Sequence, residues 1–196
     1  MIDTFSANSL KILDSSLKEF KMRYLSNLYL IEDNEELKVG NKFHNIICYY
    51  LKNFDIEKFK KGFNNAELQI LEQFINSEII KFAISADEKF IEQPFFVKIN
   101  DKYLTGRFDA VIKKNETYYI LDWKINNLPK SPESDIQTLV YIYSLSKLYK
   151  TKNIKMVYYS ILKNEKFEIN IDENKLNEAK EKIVQIINKL IQPSKS

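Results

Sequence analysis

The chain has 196 residues, 44% of them hydrophobic, and its 30 Lys and Arg against 27 Asp and Glu leave a net charge of +3. That length supports one domain with a substantial core, and that charge neither demands nor excludes a nucleic-acid partner. A single cysteine, Cys48, excludes an internal disulfide and any four-cysteine zinc or iron–sulfur site, and it suits the reducing cytoplasm. Basic residues are nearly all Lys, with Arg only at positions 23 and 107. No apolar run approaches the roughly 20 residues of a membrane span, and Asp3 and Ser6 interrupt any signal-peptide pattern, so a cytoplasmic protein without a membrane partner is expected.

In chain order, Ser6 caps a helix whose stripe is Leu10, Leu13, Leu17, Phe20, Tyr24 and Leu28. Ile31 to Leu37 is acidic and reads as a connector. Gly40 precedes a second amphipathic segment bearing Phe43, Ile46, Ile47, Tyr50, Leu51 and Phe54, followed by a lysine-bearing linker with Gly62 as its break. Leu68, Leu71, Ile75, Ile79 and Phe82 predict one helix from Ala66 to Ala83. The pattern turns β-like from Lys89 to Ile99, and Asn100-Asp101 makes a turn. After the central strands, Ser131 with Pro132 and Glu133 predicts a helix start, running to about Tyr149. Met156–Leu162 and Phe167–Ile171 read as a hairpin around Asn164-Glu165. Asp172 caps a closing helix with Leu176, Ala179, Ile183, Ile186, Ile187 and Leu190 on its stripe, and residues 193–196 read as frayed. The pattern predicts a single α/β domain over residues 1–196, with a small mixed sheet flanked by helices and a helical N-terminal segment.

Two β-like runs in the middle each carry a carboxylate: Leu104–Ile112 carries Asp109, and Tyr118–Ile125 carries Asp122, with Lys124 two residues on. Strand alternation points Asp122 and Lys124 one way and Trp123 the other. A two-residue turn at Asn115-Glu116 sets Asp109 opposite Asp122, roughly 5 Å apart, an arrangement that destabilises a sheet unless a cation neutralises it.

With these residues the chain resembles a RecB-family nuclease of the PD-(D/E)XK superfamily, with a restriction-endonuclease-like core. Residues 5–25 are similar to that family's first helix, and V-G-N-K-F-H at 39–44 to its Gly-x-x-x-His entry, with His44 in the metal-ligand place. I-E-Q-P-F at 91–95 resembles the strand before the core, supplying Glu92. G-R-F-D at 106–109 and L-D-W-K at 121–124 resemble the catalytic motifs, supplying Asp109, Asp122 and Lys124, and Gln137 with Tyr141 resembles the Gln-x-x-x-Tyr helix. Many relatives carry an iron–sulfur Cys-Pro in the first helix; Ser16-Leu17 stands there, so no cluster is expected.

The resemblance implies a DNA-hydrolysing enzyme using Mg²⁺ or Mn²⁺ held by His44, Asp109 and Asp122, joined by the Trp123 carbonyl, with Lys124 orienting water or offsetting charge. Gln137 and Tyr141, four apart on one helical face, either bind substrate phosphates or brace the site. Glu92 and Arg107 are accessory, with an ion pair between Arg107 and Glu92 or another carboxylate expected. The implied activity is an exonuclease on single strands or ends, in repair, recombination or foreign-DNA processing, with a helicase or a repair or defence protein as partner. The competing readings are a structure-specific or nicking endonuclease and a non-catalytic DNA-binding or assembly subunit. Tyr and Phe are mostly core, with base stacking in a single-strand groove as the lesser reading. The lysines of 58–61 and 147–155 read as solvated.

Overall fold

The structure, a computed structural model, describes residues 2–26 and 35–190. The predictions for Leu28, for residues 31–34 of the connector and for the frayed 193–196 lie outside them. The described residues form a six-stranded mixed sheet with helices on both faces, in the order β1 (Thr4–Phe5), β3 (Lys102–Lys114), β4 (Thr117–Lys124), β5 (Ile154–Ser160), β6 (Glu165–Ile171), with β2 (Glu88–Ile99) paired to the free side of β3. The β3–β4 turn is the predicted one: Asn115 and Glu116 both have positive φ, as a two-residue turn of that hand requires. β4 and β5 run parallel, joined through α7 (Ile136–Tyr149).

Alternation assigns the buried residues of the central strands to one of two cores. Ile120, Met156 and Tyr158 enter the first core with α1 (Ala7–Ser15), α2 (Leu17–Tyr24), α7 and α8 (Glu173–Asn188). Leu121, Trp123, Val157 and Tyr159 enter the second with α3 (Glu35–Leu51), α5 (Asn65–Ile75) and α6 (Glu78–Ile84). The short α4 (Glu57–Lys60) lies between α3 and α5.

Several boundaries differ from the sequence prediction. The first helix is two, because Ser16 leaves helical geometry and its side chain accepts from the Glu19 amide, starting α2. The helix expected over 66–83 breaks at Asn76-Ser77, where the Asn76 side chain turns back onto the Glu72 carbonyl. Gly40 lies inside α3 rather than before it. Pro132–Ser134 is only a 3-10 turn, and the cap of α7 is Asp135, whose carboxylate accepts from the Gln137 amide. The two-residue β1, parallel to β3, was too short to show as a pattern.

One irregularity shapes the site. In β2, Phe90 packs on the first core and Ile91 on the second, yet Phe95, Val97 and Ile99 pack on the first. β3 switches likewise, Leu104 and Phe108 packing on the first core but Ala110 and Ile112 on the second, with Val111 now on the first. The β2–β3 register keeps one offset on both sides of Glu92 and Asp109, which are not themselves bridged, so the hairpin rotates there instead of bulging. Glu92 accomplishes this with φ 57, a left-handed conformation costing a non-glycine residue about 1–2 kcal/mol. The β3–β4 ladder ends at Ala110–Leu121, and β1 covers β3 only to Leu104, leaving a fork in the sheet at residues 105–109. Across that fork the Tyr141 hydroxyl donates to the Arg107 carbonyl at 2.8 Å.

Candidate active site

The fork collects five of the predicted residues from four elements. His44 comes from α3, Glu92 from β2, Asp109 from β3, and Asp122 and Lys124 from the end of β4. The continued register sets Asp109 opposite Asp122, as the turn at Asn115-Glu116 implied. Asp109 is anchored where the ladder ends, its Oδ2 accepting from the Trp123 amide at 3.2 Å.

His44, Glu92 and Asp109 each offer one ligand atom, all within 4.8 Å of one another. His44 Nδ1 is 3.4 Å from Asp109 Oδ1. Asp122 is not in that group. It lies behind, fully buried, with Lys124 Nζ 2.7 Å from its Oδ1 and the Gln137 side-chain amide donating to its Oδ2 at 2.6 Å. Gln137 closes a ring, since its Oε1 accepts from Lys124 Nζ at 3.2 Å. Both polar ends of Gln137, and the hydroxyl of Tyr141, are thus engaged by other groups of the protein. Arg107 Nε stands 2.5 Å from Glu92 Oε2, the ion pair foreseen for this arginine.

The electrostatics show a shortage of positive charge. Around three carboxylates, Glu92, Asp109 and Asp122, two permanent cations are in ion-pair contact, Arg107 with Glu92 and Lys124 with Asp122, and Lys52 acts on Glu92 without an ion-pair contact. Burial, then the charge of Asp109, push the Asp122 carboxyl up to about 6, against the opposing pull of Lys124. Burial also raises Glu92, with Arg107 pulling the other way. For His44, burial favours the neutral ring, but the contact with Asp109 and the charges of Asp109 and Asp122 outweigh it and raise its pKa. Burial works against the Lys124 ammonium too, yet Asp122 keeps it protonated. The Lys124 ammonium is the one cation in contact with the buried Asp122 Oδ1. Hard carboxylate oxygens and one imidazole around an unmet negative charge fit a divalent cation.

The sequence reading made Glu92 accessory, whereas it is a member of the metal-capable group. Its left-handed backbone turns its side chain toward the fork, and no glycine marks that turn. Pro94 was the available signal, because proline two residues on places β2 at a sheet edge, where such a departure is tolerated. Among the described residues no helix is long and apolar enough to cross a membrane.

Comparison with known proteins gives the family. The family described as the PD-(D/E)XK nuclease superfamily matches residues 4–195. RecBCD enzyme subunit RecB of Borreliella burgdorferi is 30% identical over 164 residues, covering 81% of this chain but only 12% of that protein. A crystal structure from Eubacterium rectale, of a protein provisionally assigned as an exonuclease, superposes with a TM-score of 0.61 over 95% of this chain and 81% of that one. At 14% identity that likeness concerns the fold.

Proposed function

The chain belongs to the PD-(D/E)XK nuclease superfamily, with RecB-like motifs and none of the iron–sulfur cysteines, and from that premise we propose that it hydrolyses DNA phosphodiester bonds with a divalent cation, Mg²⁺ or Mn²⁺. The observation that carries this reading is the convergence of His44, Glu92 and Asp109 within 4.8 Å of one another, directly before the buried Asp122–Lys124 pair.

His44, Glu92 and Asp109 would hold the cation, with Asp122 and the Trp123 carbonyl as the further oxygen donors that the family resemblance implies. Such an ion supplies charge stabilisation at a phosphoryl oxygen and lowers the pKa of a coordinated water. The remaining work falls to the protein. Lys124, protonated and fixed between Asp122 and Gln137, directs its free N–H toward the attacking water or a non-bridging phosphate oxygen as charge develops. Gln137 is a positioning residue, holding the carboxylate of Asp122 and the ammonium of Lys124 in one plane of contact. Tyr141 keeps the fork open at a set width by pinning Arg107 to α7. Arg107 neutralises Glu92, so the three acids do not repel the anionic substrate outright.

Within this reading, residues 1–196 act as one nuclease domain, and an exonuclease working on single strands or ends is favoured over an endonuclease. The resemblance to a subunit of a larger enzyme, of which the chain spans 12%, supports a partner such as a helicase. The test is incubation with linear and closed circular DNA, single- and double-stranded, under Mg²⁺, Mn²⁺ or chelator. Metal-dependent loss of linear DNA with circles left intact is expected. Cutting of circles would make it an endonuclease, and folded protein that turns over nothing would leave a binding subunit.

A further inference from the structure

Beyond Glu92 and Asp109 the β2–β3 hairpin runs on to its turn at Asn100-Asp101. Its inner face, Phe95, Val97, Ile99 and Leu104, is buried in the first core. On the outer face Pro94, Phe96, Lys98 and Arg107 stand exposed, and Tyr103 and Thr105 are half-buried between them. Phe96 is 60% exposed, more than any other large hydrophobic side chain among the described residues. Its ring lies on that of Tyr103, centroids 4.6 Å apart and planes within 15°. Cross-strand ring contact stabilises a hairpin. It explains why the two rings meet, but not why a phenyl face is left toward water. Arg107, 65% exposed, joins this strip to the metal-capable group through Glu92.

We propose that the outer face of this hairpin is the track along which a single DNA strand enters the fork, with a base stacked on Phe96 and phosphates running past Lys98 and Arg107. The proposal rests on the nuclease reading and names its substrate form. A flat aromatic face flanked by two cations suits an unpaired strand, whose base faces are free; a duplex buries them. Phe96 pairs with Thr105, four residues from Asp109. That is roughly 13 Å along the strand at about 3.3 Å per residue. It corresponds to about four nucleotides at a stacked spacing of about 3.4 Å, beyond the reach of a stacked trinucleotide whose phosphate sits in the fork.

The test compares wild type with Phe96→Ala and with Phe96→Leu, which keeps a large apolar side chain but cannot stack. The probes are a fluorescein-labelled strand of about 12 thymidines, its duplex, and a thymidine trinucleotide. Binding is read by anisotropy with Ca²⁺, and cleavage as kcat/KM with Mn²⁺. Both variants should bind the long strand at least about fivefold more weakly, the loss expected for one stacked base. The preference in kcat/KM for the long strand over the trinucleotide should fall by a similar factor, with duplex binding little changed. Wild-type affinity in both variants overturns the track, as does a wild type that binds the long strand no better than the trinucleotide. Weakened binding in a protein that cleaves nothing would instead leave the track standing and remove the nuclease reading.

Discussion

At the scale of single residues the site is a set of polar groups that satisfy one another except for one positive charge. Lys124 is the group whose loss separates chemistry from binding. Lys124→Ala removes the ammonium beside Asp122 but none of His44, Glu92 or Asp109, so Mn²⁺ binding by calorimetry should persist. The turnover number should fall about 100-fold or more, the usual cost of deleting a preorganised stabilising group. Normal turnover in this variant would take Lys124 out of the mechanism. That Asp109, Asp122, Lys124 and His44 lie together was legible in the sequence, because acids inside apolar runs stand out and the order of the motifs relates His44 to them. The status of Glu92 was not, because it depends on a backbone angle that no residue type announces. Nor could sequence distinguish bracing from substrate contact for Gln137 and Tyr141, since either role needs only a shared helical face.

At the scale of elements, the hairpin that crosses the fork depends on Gly106. A Cβ there would fall 2.5 Å from the Phe95 ring, which is buried against Phe108 and Tyr141. Gly106→Ala must push Phe95 aside, a destabilisation of about 1–3 kcal/mol measurable by denaturant unfolding. An unchanged midpoint would show that the ring moves freely. Gly40 behaves oppositely. A Cβ there meets nothing within 4 Å, so Gly40→Ala should stabilise α3 by up to about 1 kcal/mol in the same experiment. The helix breaks at Ser16 and Asn76-Ser77 escaped the sequence reading because the apolar stripe keeps its 3.6-residue period straight through them. Only side-chain capping, which hydroxyl and amide residues offer without obligation, interrupts the backbone. The five longer strands were legible, since two-residue alternation survived in them everywhere except at the hairpin's rotation, whereas β1 is too short to alternate.

At the scale of the whole molecule, the site's charge shortage links stability to pH and metal. The Asp122 carboxyl titrates near 6 in the folded protein against 3.8 for the free side chain, so between those values the folded state holds more protons than the unfolded one. Stability of the metal-free protein therefore falls as pH rises through that window. The raised His44 adds to the same trend, its contribution being lost as pH passes its folded value. A bound divalent cation replaces those protons, so the rise in Tm on adding Mn²⁺ should be larger at pH 7.5 than at pH 5. An equal rise at both would place the ion elsewhere. The most direct measurement is the anomalous scattering of Mn²⁺ in crystals of the protein. The ion should appear in the fork within bonding distance of His44, Glu92 and Asp109, on the side facing Asp122. A fork without an ion, or with manganese bound only at other carboxylates, would contradict the assignment.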